Sequence, residues 1–114
     1  MKNYKALMRN HLYLLISLLF FASCSNRTDT PVHKVYTVEI KQMQFQPAEL
    51  TVQKGDTIIW INRDIVQHDV TEEKSKAWTS SPLLTGQSWT LVATENADYY
   101  CSIHQVMKGK LLVQ

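Results

Sequence analysis

The sequence predicts a single all-β domain, an antiparallel sandwich of about seven or eight short strands. Three observations support this fold class. Runs rich in β-branched and aromatic residues recur along the chain between Val35 and Val113. Turn-forming segments such as Lys54-Gly55-Asp56 separate these runs. No amphipathic helical pattern of useful length interrupts them, and the 114 residues suffice for one modest domain.

The individual strands follow from local patterns in chain order. Val35–Ile40 alternates apolar and polar side chains, which is typical of a strand with one face buried. Thr57–Ile61 is a nearly continuous apolar run, which is typical of a strand covered on both faces. Four of the five residues 72–76 are charged, and this segment is predicted to form a solvated loop. Pro82 argues against a helix through that point. The other strands are predicted at Leu50–Val52, from His68–Val70 onward, at Trp89–Ala93, at Tyr99–Cys101 and at Lys110–Val113.

The core of this sandwich should be filled mainly by large apolar and aromatic side chains. These residues are Phe45, Trp60, Trp89, Tyr99 and Leu112.

The charged residues are distributed unevenly. Three of the 12 basic residues, Lys2, Lys5 and Arg9, lie near the N-terminus, whereas all 10 acidic residues lie beyond position 28. From Cys24 onward, 9 basic residues (12 minus 3) therefore face 10 acidic ones, a formal charge near −1. No stripe of Lys and Arg is available to contact a phosphate backbone, which argues against a nucleic-acid partner.

The N-terminus has the pattern of an export signal. Its basic residues precede the apolar run Leu12–Ala22. Eleven helical residues rise about 16 Å, well short of the roughly 30 Å hydrocarbon core of a bilayer. Ala22 and Ser23 then lead into Cys24, an order that resembles the bacterial lipobox. The resemblance implies a signal peptide over residues 1–23 and lipidation of Cys24, with ordinary signal-peptidase cleavage as the alternative. Residues 24–34 are predicted to be a flexible tether and residues 35–114 the folded domain.

Cys101 begins a short segment that combines three metal-binding side chains. With Cys24 acylated, Cys101 has no partner for a disulfide. His104 and Met107 follow it at spacings of three and six, and His68 lies upstream, after a predicted buried strand. A thiolate and two imidazoles in one plane, with a weak axial thioether, form a blue-copper site. Taken alone, Met107 would suit a core gap and His68 a surface position, but together the four residues predict a metal site.

At this point the sequence resembles the cupredoxins, the blue copper family that includes plastocyanins and amicyanins. The resemblance rests on segments 43–47, 50–57 and 60–64, on His68, and on the Cys-x2-His-x2-Met loop with Lys-Gly-Lys after it. It implies a Greek-key sandwich of about eight strands that holds one type 1 copper. The implied copper ligands are His68, Cys101, His104 and Met107. Asp69 departs from the family pattern, which has Asn there, and the 32 residues between His68 and Cys101 are few for the family.

The resemblance implies a carrier that shuttles single electrons between redox protein partners in the cell envelope. The expected protein is a monomeric, exported, periplasm-facing lipoprotein, held at the membrane through Cys24. An apolar patch around His104, formed by Ile103, Val106 and either Ile65 or Leu83, is expected to contact the partners. An enzyme is not expected, since Tyr100 and Ser102 stand beside Cys101 where multicopper enzymes carry His. The alternative function is copper storage or delivery.

Overall fold

A computed structural model describes residues 28–114, of which Val32–Gln114 form one compact unit. The predicted signal segment and Cys24 lie outside the described residues. None of the described residues forms a helix that could span a bilayer. The unit is an all-β sandwich, as predicted, and its strands are β1 (Val35–Lys41), β2 (Gln44–Gln46), β3 (Glu49–Val52), β4 (Thr57–Asn62), β5 (Thr71–Glu72), β6 (Ser88–Val92), β7 (Ala97–Tyr100) and β8 (Lys108–Val113).

The strands form two four-stranded sheets. The first has the order β2-β1-β4-β6 and the second the order β3-β8-β7-β5. The pairs β1–β4 and β3–β8 are parallel, and the remaining pairs are antiparallel. The expectation of a wholly antiparallel sandwich was therefore wrong. The chain crosses to the second sheet at β3 before β4 returns beside β1, so these two strands run in the same direction.

Aromatic side chains fill the space between the sheets, as the sequence predicts. The rings of Trp60 and Tyr99 are fully buried and meet edge to face, with centroids 5.4 Å apart. Phe45 contacts Tyr99 at 4.9 Å, also edge to face. Such pairs add roughly 0.5–1.5 kcal/mol each beyond the area they bury. Trp89 is only half-buried, although it stacks at a tilt on Trp60.

Two predictions of side-chain direction were wrong. Leu111, not Leu112, faces the core, because successive residues of β8 point to opposite sides of the sheet. Strand β4 is not covered equally on both faces. Ile58 and Trp60 are buried while Ile59 and Ile61 are half-buried, so this apolar run has one core face and one partly open face.

Glu72 was wrongly predicted to be solvated. It is buried in β5, and its carboxylate accepts hydrogen bonds from the Ser75 hydroxyl, from the N–H groups of Lys74 and Ser75 at 2.7 Å each, and from that of Ala77. The hydroxyl and N–H of Ser75 are the main reason that the pKa of Glu72 is lowered to about 2. The charged run after Glu72 is thus a loop that folds around this one carboxylate.

The two ends of the sandwich contain different groups of residues. Val35 pairs with Thr57 and Ile40 with Asn62, so the chain enters at one end and β4 leaves at the other. At the entry end the buried Asp56 carboxylate accepts hydrogen bonds from the N–H groups of Lys34 (2.8 Å) and Gln53 (2.9 Å). The opposite end, formed by residues 62–69 and 101–107, is called the metal pole below.

Candidate metal centre

Three of the predicted ligands meet at the metal pole. The Cys101 Sγ atom lies 3.8 Å from Nδ1 of His68 and 3.8 Å from Nδ1 of His104, and the two Nδ1 atoms are 3.2 Å apart. Cys101 and His68 are fully buried, whereas His104 is half-buried. One thiol and two ring nitrogens therefore form the corners of a small triangle that is open to solvent at the His104 side.

The size of this triangle fits a single metal ion. Metal–nitrogen bonds of about 2.0 Å and metal–sulfur bonds of about 2.3 Å, at trigonal angles, separate the ligand atoms by about 3.5–3.7 Å. The observed edges of 3.2, 3.8 and 3.8 Å are close to these values. The donor set of one sulfur and two imidazoles suits copper or zinc, and a nearby thioether favours copper.

His68 is oriented by a carboxylate on its far side. Its Nε2 atom lies 2.9 Å from Oδ2 of Asp64. This contact makes Nε2 the protonated donor and leaves the Nδ1 lone pair directed at the triangle. Burial opposes ionisation of Asp64, but hydrogen bonds from the N–H groups of Met43 and Gln42 and from His68 lower its pKa. Asp64 therefore holds the His68 ring as a carboxylate anion.

Asp64 also connects two loops. It accepts hydrogen bonds from the N–H groups of Gln42 (2.8 Å) and Met43 (3.0 Å), which form the turn between β1 and β2. Its own N–H donates to Oδ1 of Asn62 at 2.9 Å. Sequence patterns alone did not identify Asp64 as part of the site. The available signal was a carboxylate four residues before the candidate ligand His68. Its role becomes clear only when the turn between β1 and β2 is seen to fold onto this carboxylate.

Asp69 holds the second ligand loop. Its two carboxylate oxygens accept hydrogen bonds from the Ser102 hydroxyl and from the Ser102 N–H, the latter at 2.7 Å, and Oδ1 also accepts from Thr71. The Asp69 N–H donates to Cys101 Sγ at 3.4 Å. Asp69, which departs from the family's Asn, therefore connects the loop of His68 to the loop of Cys101 through both of its oxygens. A fixed carboxylate next to Cys101 adds negative charge to the site.

The loop from Cys101 to Met107 closes on itself. The Met107 N–H donates to the His104 carbonyl at 3.0 Å, and the Cys101 N–H donates to the Met107 carbonyl at 3.2 Å. These bonds place Met107, which is 2% exposed, at the base of the loop beside the buried Cys101. All four predicted ligands thus lie at the metal pole, three with their donor atoms in one triangle and Met107 directly adjoining it in the loop.

Several apolar side chains in and near the metal pole are exposed to solvent. Ile103 and Val106 of the ligand loop are exposed, Val106 by 87%, and Ile65 is exposed by 95%. Leu83 was wrong as a surface candidate, because it is buried and pairs with His68 through their backbones. Its neighbour Leu84 is exposed instead.

The chain is similar to known copper-binding proteins. Residues 32–114 match the family of copper binding proteins described as plastocyanin/azurin. Amicyanin of Paracoccus denitrificans is 35% identical over 83 residues, and the match covers 68% of this chain and 63% of that protein, just under two thirds of its length. Amicyanin of Paracoccus versutus is 28% identical over 92 residues, covering 75% of this chain and 69% of that protein.

Solved structures give the same result. A copper(I) form of an amicyanin variant superposes with a TM-score of 0.66 at 31% identity, covering 70% of this chain and 82% of that one. A copper nitrite reductase from Thermus scotoductus, at 24% identity and with 23% of its chain covered, shares the fold. By its sequence and by its fold, the chain belongs to the plastocyanin/azurin family of copper-binding proteins.

Proposed function

We propose that this protein carries single electrons in the cell envelope through one type 1 copper. The residues that would hold that copper are His68, Cys101, His104 and Met107. The observation that carries the proposal is the triangle of one Sγ and two Nδ1 atoms with edges of 3.2–3.8 Å. Copper held there would supply a Cu(I)/Cu(II) couple, because this mixture of soft and borderline ligands suits both oxidation states.

The protein's own residues hold the ligands in place and limit the access of water. Asp64 fixes the ring of His68, and Asp69 fixes the loop that bears Cys101. Because both ligand residues are fully buried, their positions change little when the charge at the site changes. His104 is half-buried, so its ring edge supports electron exchange at the surface.

We infer that the protein acts as a carrier, not as an enzyme. Tyr100 and Ser102 flank Cys101, and neither supplies the imidazole that would connect the site to a second copper. Copper storage or delivery remains the competing function. A storage or delivery protein should exchange its metal more readily than an electron carrier does.

Addition of Cu(II) to the exported, metal-free protein separates the two functions. A carrier should develop an intense blue charge-transfer colour and give reversible voltammetry. Cys101→Ser should abolish the colour and leave the β-sheet circular dichroism unchanged, while the matched variant Cys24→Ser should stay blue. A colourless wild type, or a blue Cys101→Ser, would contradict the proposed ligands.

The apolar residues around His104 are proposed as the docking surface for redox protein partners. Transient redox complexes use small interfaces, and this surface brings the His104 edge close to a partner. Val106→Lys should slow electron exchange with a partner or between two molecules, with no change in reduction potential. Val92→Lys, an equally simple change on strand β6 at the far end of the molecule, should have no effect. Equal rates in both variants would argue against this surface.

Anchoring through a lipid on Cys24 is likewise a proposal. It rests on the order of basic, apolar and small residues before Cys24. Residues 24–34 would then connect the membrane to the folded domain at residues 35–114. The protein is proposed to be a monomer. Cys24→Ser expressed in the native host should move the protein from the membrane fraction to the soluble fraction, whereas Cys101→Ser should not. Recovery of Cys24→Ser in membranes would contradict lipidation.

A further inference from the structure

A cavity of about 330 Å³ opens at the metal pole beside Met107. Met43, Phe45, Val106 and Met107 contribute to its lining. Met107 is 2% exposed, whereas Met43 is 40% exposed. Two methionines therefore line the same cavity, one exposed to solvent and one buried in the ligand loop.

The position of Met43 is specified by an unusual backbone conformation. Gln42 and Met43 have φ values of 54° and 58°, a left-handed conformation that residues other than glycine adopt infrequently. Both N–H groups donate to the Asp64 carboxylate, which also holds the ring of His68. The carboxylate that orients a proposed copper ligand thus also fixes the turn that carries Met43.

Thioether sulfur is a soft ligand that selects Cu(I) over harder ions. His68 and Cys101 are fully buried, so an incoming copper ion first meets groups nearer the surface, such as the half-buried His104 and the exposed Met43. We propose that Met43 is the entry ligand for Cu(I), a role that rests on the proposed copper site. Met43 binds the ion at the opening of the cavity, and Met107 and then Cys101 take it over.

The transfer is a ligand exchange without a redox step. Copper remains Cu(I) throughout, each sulfur–copper bond that breaks is replaced by another, and the proton of the Cys101 thiol goes to water. Cu(II) prefers imidazole over thioether and can enter at the half-buried ring of His104. Loading by the two oxidation states should therefore respond differently to a change at Met43.

Uptake rates of the metal-free protein test this role. The acetonitrile complex of Cu(I) is added without oxygen, the reaction is stopped with a Cu(I) chelator, and the loaded fraction is measured from the blue colour after oxidation. Met43→Leu, which keeps the size and apolar character of the side chain, should slow Cu(I) uptake several-fold. It should leave the rate of Cu(II) uptake, the final spectrum and the reduction potential unchanged.

A second variant tests the position of the thioether. Leu84 is exposed and does not line the cavity, so Leu84→Met added to Met43→Leu should not restore the Cu(I) rate. Restoration there, an unchanged Cu(I) rate in Met43→Leu, or equal slowing of Cu(I) and Cu(II) would overturn the entry role and leave the copper site intact. A wild type that takes up neither ion would overturn the copper site as well.

Discussion

Four carboxylates are withdrawn from solvent in this domain, two at the metal pole and two elsewhere. Asp64 and Asp69 lie at the metal pole, Asp56 at the opposite end and Glu72 in β5. Each accepts hydrogen bonds from at least one backbone N–H group, which stabilises the anion inside the fold. The two carboxylates at the metal pole differ from the other two in what else they contact. Asp64 holds the ring of His68, and Asp69 holds the loop of Cys101.

This difference shows that one local arrangement can serve folding or metal binding. Asp56 accepts hydrogen bonds from Gln53, in its own turn, and from Lys34, just before β1. Glu72 accepts them from the turn that follows β5, so these two carboxylates stabilise turns and the start of a strand. The same interactions at Asp64 and Asp69 fix a carboxylate against a proposed copper ligand or its neighbour. Substitution of Asp64 or Asp69 should change the properties of copper. Substitution of Asp56 or Glu72 should change the free energy of unfolding.

The largest change in copper binding is expected for Asp64→Ala. The His68 ring then loses the acceptor of its Nε2 proton, and loss of such a partner weakens metal binding by about 10–100-fold. Competition with a copper chelator measures the affinity. Asp64→Asn keeps one acceptor oxygen and should lose less. Equal affinity in wild type and both variants would show that Asp64 does not position His68.

Glu72→Gln is expected to affect stability and leave copper unchanged. Hydrogen bonds lower the pKa of Glu72 from 4.5 to about 2 in the folded protein. The stability that this shift contributes is present above pH 4.5 and is lost as the pH falls through 2. The variant should therefore unfold more easily than wild type at pH 7, and the difference should shrink toward pH 2.

Urea unfolding of the metal-free protein at several pH values measures this effect. Glu73→Gln is the matched control, because the Glu73 side chain is 43% exposed and its ion pair with Lys108 contributes little. A constant difference between Glu72→Gln and wild type across this pH range would contradict the lowered pKa. A changed copper spectrum at pH 7 would contradict the division between the two pairs of carboxylates.

The ligand loop and most strands could be predicted from the sequence because their signals are local. Cys101, His104 and Met107 lie within seven residues, and β1 and β6 follow from alternation or apolar runs. Asp64 could not be assigned, because its role depends on N–H groups 21 and 22 residues away that reach it only after β1 and β2 pair. Glu72 was wrongly predicted to be solvated because the composition of a charged segment indicates only its average exposure. It does not show that the segment folds around one of its own side chains.

A smaller effect on copper is expected for Asp69→Asn. An anion near copper favours the oxidised state and lowers the reduction potential. At a separation of about 7 Å and an effective dielectric constant of about 20, the interaction is ~2.4 kcal/mol, or on the order of 100 mV. Donation from Ser102 and Thr71 screens the carboxylate. Asp69→Asn should therefore raise the potential by tens of millivolts in voltammetry, and an unchanged value would show that the Asp69 charge is fully compensated.

The smallest effect is expected for Ser102→Ala, and its sign is opposite. The Ser102 hydroxyl donates to Asp69 and so offsets part of the carboxylate charge. Without this donor, more of the negative charge acts on copper and the reduction potential should fall. The Ser102 N–H still donates to Asp69, so the loop stays in place, and because residue 102 is exposed, water can replace much of the lost donation.

Voltammetry of Ser102→Ala beside Asp69→Asn measures the two signs directly. In the double variant the Ser102 change should have almost no effect, because the charge that the hydroxyl offsets is no longer there. A rise in potential for Ser102→Ala, or an equal shift in both backgrounds, would mean that the hydroxyl acts on copper independently of Asp69. Asp69 would then only stabilise its loop through hydrogen bonds to the backbone, as Glu72 does in the loop after β5. Of the four carboxylates, Asp64 alone would act on a proposed copper ligand.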